Sequence, residues 1–162
     1  MISISKYQLE TQDDGTYRVH SFEIIVCPVC GDIVIVIGTR KRGCKGSDGR
    51  EIKLIIRRLR CKGCRAIHHE LPDIIVPYKR HCSETIEMII TGADDTVPCE
   101  NNTIRRIKAW WAASVLYFKS ILASLLEKYG EVFSPDPALK EIVRAVVNAH
   151  LWIHTHSVFT PG

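Results

Sequence analysis

Residues 27–64 read CPVCGDIVIVIGTRKRGCKGSDGREIKLIIRRLRCKGC, and the rest of the chain arranges itself around them. The stretch opens with Cys27-Pro28-Val29-Cys30-Gly31 and closes with Cys61-Lys62-Gly63-Cys64. A Cys-x-x-Cys turn points two sulfurs at one ion, and a glycine after or between the cysteines permits the backbone this needs. Residues 31–42 (GDIVIVIGTRKR) and 50–60 (REIKLIIRRLR) are both rich in β-branched and basic side chains. Between them, residues 43–49 (GCKGSDG) form a glycine-rich turn ending in Asp-Gly. This predicts an antiparallel hairpin with strands of about ten residues, about 33 Å if fully extended.

Such a hairpin returns the second cysteine pair to the first. The expected result is a zinc ribbon with one structural Zn(2+) held by Cys27, Cys30, Cys61 and Cys64. A closed shell of four thiolates leaves no water to activate, so this metal holds structure. A redox Cys-x-x-Cys is expected singly and beside a βαβ unit, and neither condition is met. His68 and His69 follow the second pair and are spare ligands at best, with four cysteines already present. Cys44, Cys82 and Cys99 read as unpaired thiols. Seven cysteines, an odd number, and an N-terminus without a charged region leading into an apolar block point to a reducing, cytoplasmic setting. The apolar runs are short or broken by charge, so no membrane span is expected.

The formal charge of +4 conceals a segregation. Residues 40–65 hold eleven of the 22 Lys/Arg and only two of the 18 acids, Asp48 and Glu51, so this segment stands at +9 and the remainder at −5. A solvated hairpin face would also be basic, but charge concentrated in so short a segment favours a polyanion. Arg40, Lys41, Arg42, Lys53, Arg57, Arg58 and Arg60 are the candidate nucleic-acid contacts on the hairpin.

From Ser83 the apolar period changes from two to 3.6. Ser83 is a candidate cap for a helix carrying Ile86, Ile89 and Ile90 and ending at Gly92. After a breaker-rich link, Asn101 or Asn102 caps a second helix. Its predicted stripe is Ile104, Ile107, Trp111, Val115, Phe118, Leu122 and Leu125, running to Tyr129 or breaking once. Asp136 and Pro137 open a last helix with Leu139, Ile142, Val143, Val146, Val147 and Leu151 on one face. The order is α+β: a β-rich zinc-ribbon module over 1–80, then a helical domain over 81–162. The second helix begins with Asn101, Asn102, Arg105, Arg106 and Lys108. It can act as the reading helix of a helix-turn-helix, or equally as a core helix with exposed cations. His150, His154 and His156 are candidates for a second metal site, and histidines near a helix end also simply favour its dipole.

CPVCG, then IRRLRCKGCRAIHHELPDIIVPYKRH, then a helix containing TIRR, resembles the N-terminal region of certain bacterial insertion-sequence transposases. It is still more similar to an uncharacterised group of short bacterial and phage proteins built on that ribbon. The resemblance covers roughly residues 25–112. It implies Cys27, Cys30, Cys61 and Cys64 as zinc ligands and residues 103–108 as DNA-contacting. The chain ends where a transposase catalytic domain would begin, and no nucleophile motif, phosphate-binding glycine loop or His-Glu-x-x-His occurs. The expected function is DNA binding without catalysis, as a regulator or accessory factor of a phage or mobile element. The alternative is an inhibitor or adaptor whose helical half docks on a host protein.

Overall fold

The structure is a computed structural model that describes residues 1–153. Six strands precede three helices: β1 (Ile2–Ile4), β2 (Tyr7–Thr11), β3 (Tyr17–Ser21), β4 (Val34–Lys45), β5 (Glu51–Cys61), β6 (Ile67–Pro72), α1 (Ser83–Thr91), α2 (Asn101–Tyr129) and α3 (Leu139–Asn148). The mixed α+β order is as the sequence predicts. All six strands belong to one sheet centred on β5. β4 pairs antiparallel along β5 from Val34↔Cys61 to Lys45↔Glu51. On its other edge β5 takes β3 in parallel at Leu54 and Ile55, then β6 antiparallel from Arg58 to Arg60. β1 adds in parallel to β6, and β2 antiparallel to β3.

Register decides which face each side chain meets, because successive residues of a strand alternate faces. Leu54 and Ile56 enter a core with Ile4, Val19, Cys44, Leu71, Ile75 and Cys82. Cys44 and Cys82 are joined as a disulfide across 38 residues, which corrects the expectation of two spare thiols. The local cause is a backbone return: Lys45 N–H donates to Arg80 O at 2.8 Å and Cys82 N–H to Lys45 O at 2.9 Å. The bond ties the end of β4 to the start of α1. Cross-links closing loops of this size stabilise by about 2–4 kcal/mol, largely by restricting the unfolded chain.

A second core lies among the helices. Ile86, Ile89, Ile107, Trp110, Phe118, Ile121, Leu122, Leu125, Leu139, Ile142, Val143, Val146 and Val147 pack there with Trp152. α2 runs unbroken for 29 residues, and Gly130 closes it at φ 69°. Ile107, Phe118, Leu122 and Leu125 of the predicted stripe are buried, while Trp110 and Ser114 are buried in place of Trp111 and Val115, which are half-buried. α3 starts at Leu139, beyond the predicted Asp136–Pro137 opening, and Leu151 is exposed. By length and composition α2 meets the test for a membrane span, which the sequence reading did not anticipate. Its buried side chains pack on α1 and α3, while most of the apolar window is exposed. Asn148 joins the two halves: its side chain accepts from Ser3 N–H at 2.8 Å and donates to Ser3 O at 3.0 Å.

Candidate metal centre and arginine face

The two cysteine turns have one plan. Gly31 N–H donates to Cys27 O, and Cys27 N–H donates to Asp32 O five residues on. Cys61 N–H likewise donates to Ala66 O, also five residues on. The residue after each pair is left-handed: Gly31 at φ 76° and Arg65 at φ 64°. Glycine adopts this conformation without strain, whereas arginine bears a cost of order 1 kcal/mol. At Gly63 a Cβ would lie 2.5 Å from Asp32 Oδ2, so the exposed Asp32 side chain would have to shift to admit one. Lys62 N–H donates to Ile33 O at 2.9 Å and locks one turn to the other.

The four ligand sulfurs of Cys27, Cys30, Cys61 and Cys64 all lie within 4.8 Å of one another. Cys27 Sγ is 3.6 Å from Cys64 Sγ, and Cys30 Sγ is 3.4 Å from Cys61 Sγ. A tetrahedral ion with metal–sulfur bonds of about 2.3 Å requires sulfur–sulfur edges of about 3.8 Å. The cluster is the right size to hold one metal ion. The thiols of the cluster do not behave alike. The backbone N–H of Asp32 leads the groups that hold the Cys30 thiol down to about 7, while burial pushes Cys61 up. Four thiolates this close repel one another unless a divalent cation sits between them.

His68, buried on β6, is not a fifth ligand. Its Nε2 lies 3.3 Å from Cys27 Sγ. A metal-bound Cys27 thiolate would only accept, so with an ion in place Nε2 would carry the hydrogen; Nδ1 faces the Met1 amine at 3.4 Å. Burial, then the N-terminal charge, pushes His68 down to about 4, which keeps the ring neutral. Outer-shell donors of this kind are worth about 10–100-fold in metal affinity. His68→Phe should therefore keep the fold while weakening zinc by about that factor in a chelator competition. Unchanged affinity would show the contact to be incidental.

His150 lies beyond the end of α3, with its ring 6.5 Å from that of His68. His154 and His156 lie outside the described residues. No second metal cluster occurs among the described residues.

The candidate nucleic-acid contacts separate by face. Arg40 and Arg42 on β4 stand opposite Ile56 and Leu54, and Arg58 stands opposite both Gly38 and His69. Arg40, Arg42, Arg58 and Arg60 therefore share one side of the sheet. Arg57 points to the other side and pairs with the Glu70 carboxylate, Nε donating at 2.7 Å and Nη2 at 2.5 Å. The Glu70 side chain is fully buried, so this guanidinium balances an interior charge and has little left for a phosphate. Lys41 pairs with Asp14 at 2.9 Å and Lys53 with Glu51 at 3.7 Å.

At the start of α2, Arg105 donates to Asn102 Oδ1, and Lys108 pairs with Asp94. Asn101 and Arg106 are exposed. Residues 92–100, nine in all, separate α1 from α2, where a helix-turn-helix takes a turn of about three or four.

Sequence reasoning missed three features of this region. The Arg57–Glu70 pair needed the strand register, the His68 contact needed the packing of β6 beneath Cys27, and the role of His69 among the arginines needed both.

No curated protein and no solved structure matches the chain. Residues 27–107, 81 of the 162, match a family described as a domain of unknown function (DUF6431), a match that begins at the first metal-site cysteine and ends inside α2. The chain belongs to the DUF6431 family.

Proposed function

We propose that this protein is a zinc-stabilised nucleic-acid-binding module whose target is duplex DNA. The single observation that carries this reading is the arginine face. Arg40, Arg42, Arg58 and Arg60 lie on one side of the sheet, and none of them enters a salt bridge among the described residues. Guanidiniums left without carboxylates on a rigid surface suit phosphate groups, which they grip bidentately. Zn(2+) at Cys27, Cys30, Cys61 and Cys64 fixes the open end of the hairpin, beside Arg58 and Arg60, in the manner of a zinc ribbon, with Arg40 and Arg42 farther along the strands. The metal's part is structural, and the module binds without catalysing. The start of α2, with Asn101, Asn102, Arg105, Arg106 and Lys108, serves as a second contact. The resemblance to insertion-sequence transposase N-terminal regions supports DNA as the partner and a regulator or accessory role in a phage or mobile element.

Four phosphate contacts, at a slope of about −0.9 each, give a loss of roughly 100-fold in affinity between 50 and 200 mM salt. A duplex-oligonucleotide shift assay across that range should show this loss, and Arg58→Glu with Arg60→Glu should abolish binding. Salt-insensitive binding, or full binding by that double variant, would overturn the reading.

A second reading has one observation in its favour. Leu116 is 78% exposed on α2, and Val132 is 85% exposed just beyond it. An adaptor would dock a protein on this helical surface, with the ribbon as a brace. In that case the Arg58/Arg60 variant keeps full biological activity.

A further inference from the structure

A cavity of about 220 Å³ opens on the arginine face, lined by Met1, Arg40, Arg42, His69, Leu71 and Tyr78. Its composition is one-sided. Two guanidiniums and an imidazole line it, Leu71 forms an apolar floor continuous with the sheet core, and no carboxylate takes part among the described residues. Arg58 sits directly across the β5–β6 ladder from His69 and adds a third guanidinium at the rim. The nearest buried acid on these strands, Glu70, points to the opposite face and is already neutralised by Arg57. Lys41, next to both lining arginines in sequence, also points away and is held by Asp14.

Folding has thus brought three guanidiniums to one concave spot and supplied no counter-charge among the described residues. Such convergence is unfavourable by like-charge repulsion and becomes favourable when an anion enters. The field is felt inside the cavity: burial first, then Arg40, Arg58 and Arg42, pushes His69 below its ordinary value. A neutral imidazole there offers one ring N–H as a donor, and the arginines offer planar forks matched to tetrahedral oxyanions. The volume is well above the share of about 30 Å³ that one water occupies, so a phosphate group fits.

We infer that the cavity between Arg40, Arg42 and His69, with Arg58 at its rim, binds a single phosphate-type oxyanion. This deepens the nucleic-acid reading and rests on it only for the source of the phosphate, a backbone phosphodiester. Leu71 and Met1 then serve as the apolar floor that keeps the seat shallow and shaped. The remaining hairpin cations contribute affinity without a defined seat.

The test uses the full zinc-loaded chain and inorganic phosphate as the probe, at fixed ionic strength with chloride as the balancing anion. Amide and His69 side-chain resonances are followed by NMR during the titration. The expected result is saturable shifts at residues 40–42, 58 and 69. Arg42→Gln and Arg40→Gln should each weaken binding at least tenfold, and Arg50→Gln, an equal charge change at the hairpin turn, less than twofold. Shifts that are diffuse, unsaturable or equally reduced by Arg50→Gln overturn the inference.

A parallel titration with a duplex oligonucleotide separates the sources. If the oligonucleotide moves the same resonances and competes with phosphate, the occupant is a backbone phosphate. If phosphate binds the seat and the oligonucleotide does not bind at all, the pocket stands, its ligand is a free phosphate ester, and the nucleic-acid reading falls. If Arg40→Gln and Arg42→Gln leave both phosphate and oligonucleotide affinity unchanged, the pocket falls and the nucleic-acid reading survives.

Discussion

Stripping the metal, or replacing Cys61 by Ser, is expected to unfold the end of the sheet that the two cysteine turns close. Beside the strand ladder and buried Leu59, few apolar side chains are buried at that end. Val26, Val29, Ile33 and Val36 are each more than half exposed, and Ile24 is 99% exposed. Side chains left in water contribute little of the roughly 25 cal/mol per Å² that apolar burial supplies. A metal held by the four sulfurs would replace a hydrophobic core there. Structural zinc in small modules contributes on the order of 10 kcal/mol, comparable with the whole stability of an ordinary domain at about 5–15 kcal/mol. Hydrogen exchange should show amides 27–36 and 59–66 losing protection once a chelator is added. Retention of full protection without metal would mean that the strands carry themselves.

The second large effect separates two adjacent arginines. Arg57→Met should cost about 3–5 kcal/mol in urea denaturation, because it strands the Glu70 carboxylate, which is fully buried, without its partner. Arg58→Met, one residue later and on the opposite face, should cost less than about 1 kcal/mol, since it removes a cation with no ion-pair partner among the described residues. The double variant Arg57→Met with Glu70→Met should recover most of the loss, because an apolar pair of similar volume leaves no uncompensated charge. Equal costs for the two single variants would contradict the register-based division of the hairpin's cations.

That division shows why part of the fold was legible from residue types and part was not. The cysteine pairs, the hairpin and all three helices are written in local pattern: Cys-x-x-Cys spacing, β-branched runs around Asp-Gly, and a 3.6 period closed by Gly92 and Gly130. Arg57 and Arg58 look alike in sequence, and only the strand register opposite β6 tells an interior ion pair from a surface cation. Cys44 and Cys82 meet because residues 80–82 pass parallel to the end of β4 at Lys45, a long-range contact with no local signature. The Trp110–Trp111 choice turned on one residue of helical phase, about 100° of rotation, which a run of apolar neighbours on both sides did not fix. A helix-turn-helix was suggested by a basic helix after a shorter one, but the nine-residue link holds a 3₁₀ turn at Asp94–Thr96 whose Asp94 ties down Lys108.

We propose that four sulfurs converging on one ion hold the end of the hairpin that carries Arg58 and Arg60. Native mass spectrometry of the purified chain measures this directly. One zinc per folded chain, lost when Cys27 and Cys64 are both replaced by Ser, is the expected result. A folded chain that carries no metal, or that keeps its metal in that double variant, would contradict it.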